Sequence, residues 1–144
     1  MSAEQNRALV CRFVEEGIIK ADMATFDELV AEDVIDHYAP PGSPNGREGW
    51  KQNRLRFKAA FPDGRWEIAD IVAEGDLVAM RAPFSGTHQG EFFGISATGR
   101  RIAIGSIHIC RVANGLIVEH WGNSDDLSML QQLGAIPTAE PATV

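Results

Sequence analysis

The chain has 144 residues, of which 44% are hydrophobic and 23% are charged, a balance typical of one globular domain in water. Its net charge of −7 argues against nucleic-acid binding, because phosphates attract basic surfaces. No apolar run approaches the roughly 20 residues of a membrane span, and the N-terminus lacks a signal-peptide pattern, so we expect a cytoplasmic protein without a membrane contact.

The first sixty residues have helical spacing. Residues 4–20 place apolar side chains on one face, and Asp22 can cap a second short helix. Residues 39–46 contain three prolines and two glycines and must form a loop, after which 47–61 return to helix. The candidates for burial in these helices are Val10, Phe13, Phe26, Val30, Trp50, Leu55, Phe57 and Phe61.

Strand-like alternation replaces the helical period from Trp66 onward. Asn114-Gly115 separates two apolar runs, 102–112 and 116–121, and Asn-Gly predicts a type I′ hairpin because both central residues need positive φ. Helices followed by a run of antiparallel strands predict an α+β fold, in which the N-terminal helices cover a curved sheet. We expect one domain over residues 1–144, with a loose tail beyond Pro137.

The two cysteines lie far apart, in apolar surroundings. Cys11 and Cys110 are not arranged with histidines at metal-ligand spacing, and they form no CxxC motif. Buried free thiols are the reading that this pattern favours over a disulfide.

The hairpin would bring polar side chains together near the last two strands. His108 shares a strand face with Ser106 and Cys110, where an imidazole either lines a cavity or is a hydrogen-bonded core residue. Asp125, directly after the last strand, either caps the helix that follows or serves as a base, and Asp126 offers the same alternatives.

Other candidates lie outside the hairpin. Asp36-His37 precedes the proline-rich loop, while His88 lies in a glycine-containing stretch where exposure is common. The aromatic residues that could line a ligand site, or simply form core, are Trp50, Phe92, Phe93 and Trp121.

Short segments along nearly the whole chain are similar to those of one family. They run, in order, through Asp33-Val-Ile-Asp-His-Tyr, Gly46-Arg-Glu-Gly, Ala60-Phe-Pro-Asp, Glu74-Gly-Asp-Leu-Val, Gly86-Thr-His-Gln-Gly, Thr98-Gly-Arg, Asn114-Gly-Leu-Ile-Val-Glu-His-Trp, Asp125-Asp and Gln132-Leu-Gly. With these segments in this order, the chain resembles the SnoaL-like polyketide cyclase (ester cyclase) family, whose fold is that of nuclear transport factor two.

This resemblance implies a cone-shaped curved sheet that admits a small hydrophobic molecule, and a homodimer or homotetramer formed through the outer sheet face. In the family's cyclases an aspartate near the end of the last strands serves as acid and base in an intramolecular aldol closure. No metal or organic cofactor is implied. The position after Trp121, where many relatives carry an acid, holds Gly122, and the nearest carboxylates are Asp125 and Asp126.

Three functions remain open. The first is a cofactor-independent enzyme for a small hydrophobic, oxygenated substrate, working by aldol cyclisation or by a lyase or hydrolase step. In it Asp125 would act as general acid and base, while His108 and His37 polarise a carbonyl or hold the acid. The substrate contacts expected are Trp50, His88, Phe93, Trp121 and His120. The second is a binding protein without catalysis, and the third is a structural subunit of a dimer.

Overall fold

The computed structural model describes residues 1–138, so the expectation for the tail lies largely outside the described residues. In this part of the chain, four α-helices and eight β-strands form the α+β fold that was predicted. The helices are α1 (Ala3–Arg12), which a π-helix (Phe13–Ile19) continues, α2 (Met23–Leu29), α3 (Gly46–Ala60) and α4 (Asp126–Gln132). The strands are β1 (Val30–Asp36), β2 (Arg65–Trp66), β3 (Asp70–Glu74), β4 (Leu77–Arg81), β5 (Phe84–Thr87), β6 (Arg101–Ile104), β7 (Ser106–Ala113) and β8 (Leu116–Ser124).

Side-chain caps set the starts of the first two helices. The Ser2 hydroxyl accepts from the Gln5 N–H, and the Gln5 side chain accepts from the Ser2 N–H, which is a capping box. Asp22 caps α2 as predicted, since its carboxylate accepts from the N–H of Ala24 at 3.0 Å. Leu55 was expected in the core, but it is exposed on the outer side of α3.

The strands form a five-stranded sheet in the order β1-β8-β7-β4-β3 and a three-stranded sheet in the order β2-β5-β6. The predicted hairpin joins β7 to β8, with positive φ at both Asn114 and Gly115. One strand pair departs from the predicted antiparallel sheet: β1 runs parallel to β8. Val30 was predicted as part of the apolar stripe of a helix. It is instead the first residue of β1, because α2 ends at Leu29 and the residues that follow pair with β8, which is distant in sequence.

Two apolar clusters fill the molecule. The first lies between the N-terminal helices and the five-stranded sheet, where Phe13, Phe26 and Trp50 meet edge to face. The second packs the end of α3 and α4 against the three-stranded sheet around Phe61 and Phe84. Neither cysteine is in a disulfide, as expected, and burial raises the pKa of the Cys110 thiol to about 12. Among residues 1–138 no helix is long and apolar enough to cross a membrane.

The outer face of the five-stranded sheet carries a row of neutral side chains. Cross-strand pairing sets Val72, Ala79, Ile109 and Trp121 side by side across four strands. Val72 is 66% exposed, and Ile107 in the adjacent row is 56% exposed. Ion pairs flank this row, including Arg81 with Asp70 at 2.8 Å. An apolar strip with a charged border is typical of a protein–protein contact.

We propose that the chain forms a homodimer or homotetramer through this outer face. Light scattering should give at least twice the 15.7 kDa chain mass at micromolar concentration, and Ile107→Lys/Ile109→Lys should lower that mass, because two charges per chain would be buried in the contact. Leu55→Lys, on an exposed position of α3, is the control and should leave the assembly intact. A wild-type protein that is monomeric at this concentration would contradict the expectation.

Candidate active site

A line of polar side chains interrupts the apolar inner face of β7 and β8. Nε2 of His108 lies 3.0 Å from Oγ of Ser106, and Nδ1 of His108 lies 3.0 Å from Nε2 of His120. At the other end, Nδ1 of His120 lies 2.7 Å from Oδ1 of Asp36. We call these four side chains the relay. They form one continuous hydrogen-bonded path from a hydroxyl to a carboxylate.

The relay is placed by strand register. Asp36 ends β1 directly beside His120 of β8, and Ser106 and His108 face inward at alternate positions of β7. The side chains of Asp36 and His120 are only 9% and 6% exposed. Ser106 is also buried, and its hydroxyl donates to the Ala82 carbonyl at 2.5 Å. A buried carboxylate and imidazole are tolerated here because each has a partner.

Two aromatic rings frame the histidines. The indole of Trp50 stacks on His120 at a centroid distance of 4.7 Å. The Tyr38 ring presents its edge to His108 and His120, at 5.3 and 5.7 Å, and its hydroxyl is hydrogen-bonded to that of Ser124. Trp50 thus packs against one imidazole and Tyr38 against both.

Gly122 lies where the two histidines meet. A methyl group at this position would come within 2.7 Å of Nδ1 of His108 and 3.0 Å of Cγ of Tyr38. No side chain with a Cβ fits there without displacing one of these rings. The absence of a side chain at position 122 is therefore a condition for the contact between His108 and His120.

The surroundings shift the pKa values of two ring side chains of the site, His108 and Tyr38. Burial, and then the positive charge of His120, lower the pKa of His108 to about 4. Burial raises the pKa of Tyr38, and the charges of Asp126 and Asp36 act in the same direction. Near neutral pH His108 and Tyr38 are therefore uncharged.

Counting hydrogens gives one protonation state in which every contact of the relay is satisfied. The Ser106 hydroxyl donates to Ala82, so it can accept from Nε2–H of His108, and His108 Nδ1 then accepts from His120. With Asp36 ionised, His120 must carry both ring protons. Removing one proton leaves each histidine protonated on Nδ1, and Nε2 of His108 then faces a hydroxyl that donates elsewhere. In that state Nε2 is an unsatisfied acceptor, which can take up a proton without moving a heavy atom.

The structure brings together three of the residues expected from the sequence. His108 and Trp50 both contact His120, and Asp36, from the Asp36-His37 pair, joins them. His120 was expected to contact substrate, and it is instead the central member of the relay.

His37 and Trp121 lie on the opposite side of the sheet. Successive residues of a strand point to opposite faces, so when Asp36 and His120 point inward their neighbours point outward. There His37 stacks on Trp121 at 5.1 Å, and its Nε2 lies 2.6 Å from the carboxylate of Glu119. The expected convergence of His37 with His108 is therefore not observed.

Asp125 takes the helix-capping role, the other alternative that the sequence left open. It is exposed, and its Oδ1 accepts from the N–H of Ser128 at 3.1 Å at the start of α4. Its assignment as general acid and base stays a prediction beside this capping role. Partial burial and the charge of Asp125 raise the pKa of Asp126, whose own charge acts on Tyr38.

His88 and Phe93 belong to the long connection between β5 and β6. His88 is fully buried, and its Nδ1 accepts from the N–H of Thr98 at 3.2 Å, so it serves the connection's own structure. Phe93 is exposed, and its ring lies tilted against that of Phe92 at a centroid distance of 4.2 Å. Neither side chain contacts the relay.

The sequence reasoning assigned no role to Tyr38 or to the Ser106 hydroxyl. Ser106 had a visible signal, since it precedes His108 by two residues and so must share its strand face. Tyr38 had none, because its place follows from how the chain turns after β1.

Two surface cavities flank this region. One, of about 590 Å³, opens between β1 and the loop 39–46, and Asp36 and Trp50 are among its lining residues. The other, of about 550 Å³, lies beside β2, β5 and Gly105 and includes Asp125. In residues 1–138 no group of three or more His, Cys, Asp or Glu side chains is arranged to hold a metal ion.

The chain is similar in sequence to several characterised cyclases. Aklanonic acid methyl ester cyclase DauD of Streptomyces sp. (strain C5) is 30% identical over 112 residues, which are 73% of this chain and 70% of DauD. The cyclase of the same name from Streptomyces peucetius, DnrD, is also 30% identical over 112 residues, covering 73% of this chain and 77% of its own.

The fold is also similar to that of solved structures. TsrD of Streptomyces laurentii superposes with a TM-score of 0.85 at 29% identity, over 94% of this chain and 99% of TsrD. IdmH of Streptomyces antibioticus is 40% identical with a TM-score of 0.78, over 90% of this chain and 99% of its own. The family model described as SnoaL-like polyketide cyclase matches residues 8–133. The chain belongs to the SnoaL-like polyketide cyclase family.

Proposed function

We propose that this protein closes a ring in a polyketide ester by an intramolecular aldol reaction, with His108 as the acid and base. The observation that carries the proposal is the unbroken hydrogen-bonded path from Ser106 through both histidines to Asp36. The sequence relatives that are named aklanonic acid methyl ester cyclases support the class of substrate.

The reaction needs a group that first takes a proton and then returns it. In the proton-poor state, Nε2 of His108 removes a proton from the carbon beside a substrate carbonyl, while Nδ1–H of His108 passes its proton to His120. The resulting enolate carbon attacks the second carbonyl and forms the C–C bond. The new alkoxide then takes the proton back from Nε2. No atom is gained or lost, so the product is an isomer of the substrate.

The low pKa of His108 fits this scheme. Because a proton arrives at Nε2 as another leaves Nδ1, His108 itself holds no lasting charge. The charge is on His120, which lies 2.7 Å from the carboxylate of Asp36. His108 thus performs, at the position that Gly122 leaves open, the acid and base role that the resemblance gives to an aspartate in the family.

The substrate would enter from the side that Tyr38 covers. Tyr38 is partly exposed and contacts both imidazoles with its edge, so a modest movement of this ring uncovers His108. General acid–base help contributes about 10²–10⁴-fold, and the rest of the acceleration must come from holding the two reacting carbons together.

Replacing Asp36 by Asn should lower turnover of aklanonic acid methyl ester by about 10²–10⁴-fold, because His120 loses the charge that stabilises its imidazolium. Asp125→Asn is the matched control: Asn also caps helices, so turnover and melting temperature should stay unchanged. Product formation is followed by liquid chromatography with mass detection, and circular dichroism checks the fold. Loss of turnover in Asp125→Asn alone would return catalysis to Asp125.

Gly122→Ala should lower turnover about 100-fold while the fold is kept, because the added methyl separates His108 from His120. Gly105→Ala is the control, since a methyl group at that position meets no atom within 4 Å. Ring ¹⁵N chemical shifts of the two histidines should change only in the first variant. Equal activity of Gly122→Ala and wild type would exclude the relay as the catalyst.

Lowering the pH should destabilise the protein through His108. Its folded pKa, about 4, lies below the ordinary value of about 6.5, so between these values the unfolded chain binds more protons. The free energy of unfolding therefore falls as pH falls through this window. Urea titrations at pH 6.5 and pH 4.5 give the free energy of unfolding at each pH. Its decrease between the two pH values should be larger for wild type than for His108→Phe. Equal losses would contradict the assignment.

The binding-protein alternative keeps one observation in its favour, the missing acid at position 122. It predicts that wild type and Asp36→Asn bind aklanonic acid methyl ester equally and that neither forms product. Isothermal calorimetry and the product assay, applied to the same two proteins, separate this outcome from catalysis.

A further inference from the structure

A single cation lies on the inward face of α3, between the two apolar clusters. This face carries Trp50, Arg54 and Phe57 at helical spacing. Trp50 packs in the first cluster, Phe57 packs against the second, and Arg54 between them is only 7% exposed. An arginine this deeply buried is uncommon unless it is paired.

The contacts of Arg54 use only part of its guanidinium. Nε donates to the carbonyl of Ile18 at 2.6 Å, and the guanidinium carbon lies 4.6 Å from the centroid of the Trp66 ring. Nη1 is buried and has no hydrogen-bond partner. Among residues 1–138 no carboxylate forms an ion pair with Arg54, and burial alone lowers its pKa to about 10.

The hydrogen bond to Ile18 does not explain why a charged guanidinium is buried at this position. It satisfies a carbonyl at the end of the π-helix with one N–H, whereas arginine carries five N–H donors in a rigid fork. Leaving a buried charged donor without an acceptor is costly, and such unpaired groups are more common at functional sites than in ordinary cores. The Trp66 ring also holds the guanidinium plane, which prepares the fork for a planar anion.

Arg54 lies near the relay along α3. Trp50 lies one helical turn before it, and residues four apart on a helix have Cβ atoms about 5–6 Å apart. Trp50 stacks on His120 of the relay. Arg54 and the relay therefore have Trp50 as a common neighbour.

We propose that Arg54 binds a delocalised oxyanion of the substrate, either a carboxylate or the enolate of a 1,3-dicarbonyl unit, inside the cone. This inference rests on the proposed function in one respect, that the substrate occupies the interior beside the relay. Arg54 then sets which end of the substrate faces His108, and neutral analogues are bound less well.

The test compares three flat probes: 2-naphthoate for a carboxylate, 2-acetylindane-1,3-dione for an enolate, and 2-naphthamide as the neutral analogue. Calorimetry at neutral pH should give wild type a dissociation constant about 10- to 100-fold lower for at least one anion than for the amide. The anion that is preferred identifies the source of the oxyanion. Arg54→Met should bring anion and amide to the same affinity.

Arg56→Met is the matched control, because Arg56 is on the same helix but exposed. It should keep the wild-type preference for the anion. Should Arg54→Met fail to fold, the Nε–H signal of Arg54 in wild type, assigned through Arg54→Lys, decides: the anion must shift it and the amide must not. A wild type without preference, a preference that Arg54→Met keeps, or an unshifted signal overturns the inference.

The outcomes are separate from those for the relay. His108→Phe should lose turnover and keep the anion preference, because it leaves Arg54 in place. A wild type that prefers the anion but forms no cyclised product refutes the proposed reaction only. A wild type that turns over substrate without preferring the anion refutes only the role of Arg54.

Discussion

The candidate site depends on the parallel pairing of β1 with β8. Among residues 1–138 this pairing is the one exception to an otherwise antiparallel set of strand neighbours, and it sets Asp36 directly beside His120. Without this carboxylate, Nδ1 of the buried His120 would lack its hydrogen-bond partner. The strand register therefore determines the hydrogen bonding of the site, and the chain segment after β1 brings Tyr38 against the same two rings.

In the part of the chain that the structure describes, two buried side chains that can carry a positive charge have opposite arrangements. His120 has a buried carboxylate within hydrogen-bond distance, and both of its ring nitrogens have partners. Arg54 has a carbonyl and an aromatic face but no carboxylate. A paired charge keeps a fixed geometry, whereas an unpaired one retains the capacity to attract an anion. His120 is thus suited to proton transfer, and Arg54 is suited to binding an anionic group of a ligand.

The sequence predicted the parts of this site that depend on local rules. Asn-Gly specified the hairpin, strand alternation placed His108 inward with Ser106, and the residue types at the start of α2 located its cap. The parallel strand could not be predicted in this way, because β1 follows α2 without a break and its partner is about 80 residues away. For the same reason, His37 and Trp121 were assigned to the interior although they lie outside. Asp125 was ambiguous from the start, since a residue between a strand and a helix suits both a cap and a base.

The steric relation between positions 108 and 122 restricts how such a site can change over evolutionary time. A side chain at position 122 requires part of the space that the His108 ring occupies here, so with this backbone His108 would have to move to admit it. A change from glycine to an acid at 122 would therefore alter the contact between His108 and His120 at the same step. Positions 108, 120 and 122 should therefore vary as a group among relatives, while the capping residues of α4 vary independently of them.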